Sequence, residues 1–171
     1  MNKSVRLTLA ALLCVAGVAA CKKEVKPTPP PPPPEQPAMT QTQPATSGAY
    51  TPADLDTDAC LRQRVVYFDF DKSEIKPEFQ QIIACHAKYL QDRPTAQMRL
   101  EGNTDERGTR EYNLGLGERR GNAVSSALQA AGASASQLNV ISYGEERPTC
   151  RDHNEDCWSK NRRVEIVYTS K

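Results

Sequence analysis

The residues of this sequence best suited to chemistry are an aspartate and an arginine on either side of a helix start. Asp105 lies in the polar turn of LEGNTDERGTREYNLGLGERRGNAV, residues 100–124, and Arg120 lies in the helix that follows. On a wheel of about 100° per residue with Tyr112 at zero, Leu116, Ala123, Ala127, Val124, Ala131 and Leu128 fall between about 20° and 160°, one apolar stripe. Arg120 falls at about 80° and Asn113 at about 100°, inside that stripe. A guanidinium keeps its proton, so an inward arginine needs a carboxylate partner or must line a cleft. Spacing leaves two arrangements open. One is a buried Asp105–Arg120 salt bridge. The other is a pocket with one anionic and one cationic wall, suited to a zwitterion whose ammonium meets Asp105 and whose carboxylate is held bidentately by Arg120.

Other groupings point to weaker chemistry. Asp69 and Asp71 alternate at a strand end, so at most one can face the Asp105 side. Two carboxylates could serve a glycosidase, but nothing nearby raises the pKa of one or supplies a groove. The glycines of GLGERRG sit within a helical pattern rather than between strand and helix, which excludes a phosphate cradle. Neither His86 nor His153 has the company of a nucleophilic triad, so both are expected to be structural or surface residues. Cys150, His153 and Cys157 offer three zinc ligands without an obvious fourth, and no metal or other cofactor is expected. Lys160-Asn161-Arg162-Arg163 reads as a solvated basic turn.

The elements that must position these residues follow from pattern. Val65 to Phe68 is β-rich, and Phe70 continues the run. Pro77 suits a first helical position; Phe79, Ile82, Ile83, Ala87 and Leu90 give that helix its apolar face, and Pro94 stops it. Gln97–Glu101 is a second strand, Thr109 caps a helix that runs to about Ala131, Leu138–Tyr143 is a third strand and Arg163–Tyr168 a fourth. The order β-α-β-α-β-β predicts an α+β sandwich, a mixed four-stranded sheet with parallel pairs through helical crossovers and helices on one face.

The chain has three parts. Residues 1–20 form a signal peptide, with Lys3 and Arg6 before an apolar run that is too short and Ala-rich for a membrane span. It ends Val18-Ala19-Ala20-Cys21, which resembles a lipobox; Cys21 is then the lipidated mature N-terminus, and several acyl chains would anchor it stably. Residues 21–56 form a linker around the run Pro29–Pro34, which reaches roughly 19 Å as polyproline II. Residues 57–171 form the globular domain. With 22 Lys+Arg against 21 Asp+Glu, the balance gives no sign of nucleic-acid binding. Four cysteines remain in the domain. An exported chain favours two disulfides, and of the three connectivities Cys60–Cys85 with Cys150–Cys157 is expected. Cys150 and Cys157 have six residues between them and can close a local loop. Cys85 lies off the apolar face of its helix, where a free thiol would be a liability. The absence of C-x-x-C argues against a thiol oxidoreductase.

Thr104-Asp105, Asn113-Leu114-Gly115-Leu116 and Arg119-Arg120, with YFDFDKSEI, YGEERP and SKNRRVEIVY, resemble the OmpA-like peptidoglycan-binding domain family from about Val65 to Tyr168. Gly121 departs from the family, which usually has alanine there. The resemblance implies a non-catalytic peptidoglycan binder on the periplasmic side of the outer membrane, held there by its N-terminal lipid. Lys22 after Cys21 is compatible with export to that membrane. The ligand implied is a peptide stem whose diaminopimelate side chain ends in an ammonium for Asp105 and a carboxylate for Arg120. Asn113 would orient these groups, Asp71 would add a hydrogen bond, Phe70 and Leu116 would form apolar walls, and Arg107 would contact a neighbouring carboxylate. The family also implies docking to the Tol system through TolB. A protein-interaction module without wall binding is the rival from another class.

Overall fold

The computed structural model describes residues 48–171. The signal peptide, Cys21 and the proline run lie outside the described residues. A four-stranded mixed sheet has the order β1-β4-β2-β3, where β1 is Val65–Tyr67, β2 Gln97–Asn103, β3 Leu138–Gly144 and β4 Arg163–Ser170. β4 pairs antiparallel with both β1 and β2, while β2 and β3 are parallel. The parallel pair is joined by the expected helical crossover.

Helix α1 is the single turn Asp54–Thr57, α2 is Gln80–Asp92, α3 is Arg110–Ala130 and α4 is Glu155–Asn161. Pro77 opens a 3₁₀ turn that leads into α2. The core lies between the sheet face carrying Met98, Leu100, Val164 and Ile166 and the helix residues Ile82, Ile83, Leu90, Val124 and Leu128. Thr109 caps α3 as expected, its hydroxyl accepting from the Tyr112 N–H at 3.2 Å.

The buried face of α3 differs from the sequence-predicted stripe. It runs from Leu116 through Asn113, Arg120, Val124 and Gly117 to Gly121 and Ser125, about 40° to 220° on the same wheel. Glycines account for the rotation. A Cβ at Gly117 would stand 2.3 Å from Ser142 Oγ, and one at Gly121 would stand 2.5 Å from Val140 Cγ1. The helix therefore lies on the sheet through residues that hydropathy does not mark. Gly121 is bound to this close approach, not only to a lower helix propensity.

Three boundaries move. The packed domain begins before residue 57, because Tyr50 and Leu55 are buried in the core. Strand β1 stops at Tyr67, and Phe70 lies beyond it, 54% exposed. The polar stretch before β4 contains α4, capped by Asn154, whose side chain accepts from the Cys157 N–H at 3.0 Å. Both expected disulfides are formed, Cys60–Cys85 and Cys150–Cys157. Cys85 is buried rather than exposed, and with Leu55 and Leu61 it belongs to the core cluster. Among the described residues no helix is long and apolar enough to cross a membrane.

Candidate functional site

All seven residues singled out for ligand contact line one open cavity of about 200 Å³: Phe70, Asp71, Asp105, Arg107, Asn113, Leu116 and Arg120. Thr104, Gly108 and Tyr112 complete its wall. The cavity lies where the carboxyl end of β2 gives way to the 104–109 turn, with α3 on one side and the 68–72 loop on the other. Its volume fits one side-chain terminus rather than a drug-sized molecule.

The two charged walls are built differently, and the Asp105–Arg120 salt bridge does not form. Asp105 is 3% exposed and is held by two other arginines. Arg107 binds it in a fork, Nε to Oδ1 at 3.1 Å and Nη2 to Oδ2 at 2.7 Å, and Arg162 Nη1 reaches Oδ2 at 3.2 Å. Burial pushes the Asp105 carboxyl up, but the hydrogen bonds from Arg107 and Arg162 outweigh it and hold the group below the ordinary carboxylate range.

Arg120, 1% exposed, donates to three backbone carbonyls: Lys72 from Nε at 2.8 Å, Asn103 from Nη1 at 3.0 Å and Asp69 from Nη2 at 3.0 Å. These bonds use three of a guanidinium's five N–H donors. Carbonyl dipoles satisfy donors without cancelling the charge. Among the described residues no carboxylate oxygen lies within 4.0 Å of this guanidinium, although Asp105 and Asp71 act on it from further away. Burial lowers its pKa to about 10, which still leaves it protonated at neutral pH. The guanidinium also lies over the Phe68 ring, 5.2 Å from its centroid.

The remaining lining residues fix the shape of the turn. Asn113 Nδ2 donates to Glu145 Oε2 at 2.5 Å and to the Arg107 carbonyl at 3.3 Å, which ties α3 to both neighbouring loops. Asp71 accepts from the Tyr112 hydroxyl and adopts φ 57°, the left-handed region that a short polar side chain tolerates. Asp69 instead pairs with Lys76 at 2.8 Å, so only one of the two aspartates faces the cavity. Thr104 Oγ1 is buried without a partner among the described residues. The 104–109 turn is closed by Gly108 at φ 113°.

Sequence reasoning missed Arg162. It is 5% exposed, so Lys160–Arg163 is no solvated turn; Arg162 also donates to the Phe68 carbonyl at 3.1 Å and pairs with Glu155. The available signal was the adjacent pair Arg162-Arg163, which falls at the junction of α4 and β4, Arg162 capping the helix and Arg163 opening the strand. His86 and His153 have structural and surface roles. His86 is sealed between the Tyr168 hydroxyl and the Gln63 carbonyl, and His153 is exposed beside Glu106. Cys150, Cys157 and Asp152 lie close together, but the two sulfurs are bonded to each other.

Comparison with known proteins places this geometry among relatives. The OmpA family profile matches residues 67–162. The peptidoglycan-associated lipoprotein of Haemophilus influenzae is 42% identical over 168 residues, covering 98% of this chain and 100% of that one. The crystal structure of the peptidoglycan-associated lipoprotein from Burkholderia pseudomallei superposes with a TM-score of 0.66 at 42% identity, covering 67% of this chain and 98% of that one. The C-terminal domain of Helicobacter pylori MotB gives a TM-score of 0.58 at 25% identity, covering 63% and 84%.

Proposed function

The chain belongs to the OmpA family, and from that premise we propose that it is a lipid-anchored, non-catalytic tether between outer membrane and peptidoglycan. The observation that carries the reading is Arg120, a buried cation with no carboxylate oxygen within 4.0 Å among the described residues, on the wall of an open cavity. Burying such a charge is costly unless an anion meets it. The matching ligand is a side chain ending in a carboxylate and an ammonium, as diaminopimelate does in a stem peptide. The carboxylate binds Arg120, and the ammonium goes to Asp105.

Asn113 and Asp71 hold the loops that bracket the ligand, Phe70 and Leu116 flank its methylenes, and the unpartnered Thr104 hydroxyl supplies a further polar contact. Cys21 carries the acyl anchor in this reading. No covalent link is required, because many weak sites on one polymer act together through effective concentration. Docking to Tol proteins such as TolB belongs to the same proposal and rests on family likeness alone.

Sedimentation with purified peptidoglycan tests it. A soluble form beginning at residue 48 keeps Tyr50 and Leu55 and is expected to pellet with the wall, while folded Asp105→Ala and Arg120→Ala remain in solution. A wild type left in solution overturns wall binding and favours a partner-only module. Folded variants that still pellet move the site elsewhere.

A further inference from the structure

Arg107 holds the position that the proposed ligand needs. Its fork on Asp105 closes the two carboxylate oxygens, and its own backbone N–H donates to Asp105 Oδ1 at 3.1 Å. A ligand ammonium can reach Asp105 only if a cation leaves. Arg162 is the wrong one to move, since its side chain is 6% exposed and pinned to the Phe68 carbonyl. The Arg107 side chain is 30% exposed and sits on a turn next to Gly108.

The surrounding side chains define where it can go. The guanidinium lies over two aromatic rings, 4.0 Å from the Phe70 centroid and 4.2 Å from that of Trp158. Contact with two rings lets the group shift while keeping cation–π contact with at least one of them. Glu155 Oε2 already stands 3.6 Å from Nη2, on a side chain 60% exposed. A short movement exchanges Arg107–Asp105 for Arg107–Glu155.

Resting on the ligand reading above, we propose that Arg107 is a built-in stand-in for the ligand ammonium, a cationic plug on Asp105 that the ligand displaces towards Glu155. The exchange keeps every carboxylate paired and leaves no buried anion bare in either state. It also sets specificity. A ligand with a carboxylate and no cation reaches Arg120 but cannot release the plug, whereas a zwitterion does both. Trp158, the one tryptophan of the chain, lies against the moving group and reports it.

The test uses the full chain in mild detergent, titrated with a soluble muropeptide bearing free diaminopimelate and followed by calorimetry and Trp158 fluorescence. Wild type is expected to bind with a change in Trp158 emission. Arg107→Gln, with Asp105 unplugged, is expected to bind about three- to tenfold tighter, and Glu155→Gln about threefold weaker. A folded Arg107→Gln that binds equally or more weakly overturns the plug and makes Arg107 a bystander or a ligand contact. If that variant does not fold, Glu155→Gln decides, and unchanged affinity overturns the proposal. Absence of wild-type binding removes the site reading and the plug together; binding by wild type with the wrong order of variants removes the plug alone.

Discussion

His86 and Arg120 are buried near opposite ends of the sheet, and their surroundings treat charge in opposite ways. His86 is 0% exposed, beside Tyr168 of β4, which pairs with Met98 at the start of β2; Arg120 bonds Asn103 at the end of β2. Both ring nitrogens of His86 are used, one on the Tyr168 hydroxyl at 2.8 Å and one on the Gln63 carbonyl at 2.9 Å. Burial lowers the His86 pKa to about 4, so the ring discards its proton and the region is complete in itself. A guanidinium has no such exit at neutral pH. Three carbonyls hold Arg120 in place and leave its charge to be met from outside. Equal burial therefore marks a structural site in one case and a receiving site in the other.

The largest effect expected is at Arg120. Arg120→Lys keeps the charge and loses the fork; it should weaken binding of a diaminopimelate stem peptide by about 100-fold in calorimetry, and Arg120→Ala by at least as much. Arg120→Ala should also lower stability by about 2–3 kcal/mol in urea titration, because carbonyls at 69, 72 and 103 lose their donor. That cost accompanies a binding role here, so loss of stability alone does not identify a structural arginine. A Lys variant that binds normally would erase the distinction between the two regions.

His86 should show the opposite behaviour. Its folded pKa lies below the unfolded value, so the unfolded chain takes up the proton first. Stability from this group is complete above about pH 6.5 and is lost progressively down to about pH 4, by roughly 3 kcal/mol in all. Urea titrations at several pH values should show that slope, and His86→Gln should flatten it without affecting ligand binding near neutral pH. Smaller effects belong to the cavity rim. Asn113→Ala frees Glu145 and the Arg107 carbonyl and should weaken binding about fivefold. Asp71→Gly removes the Tyr112 contact while suiting φ 57°, and should change affinity by less than about twofold.

Much of this was legible because it was local. The Thr109 cap, the span of α3 and the inward position of Arg120 follow from spacing along one helix. What spacing could not give was the identity of partners. Asp105 lies two residues from one arginine and 57 from the other, and only the β4 pairing brings Arg162 to it. Helix α4 has seven residues and too little apolar periodicity to announce itself. Tyr50 and Leu55 were hidden because Tyr50 sits among small residues and proline and Leu55 between two aspartates, a linker-like stretch with no periodic pattern until a core receives them. The rotation of α3 escaped for a related reason. Gly117 and Gly121 are buried by close backbone approach, which hydropathy does not register.

Arg120 waits for a carboxylate, and a change in the ligand tests this without disturbing the fold. Calorimetry should compare a stem peptide carrying free diaminopimelate with the same peptide in which the side-chain carboxylate is a carboxamide. The amide is expected to bind about 100-fold more weakly than the acid, with Arg120→Lys no longer distinguishing the two. Equal affinity of acid and amide for the wild type would contradict it.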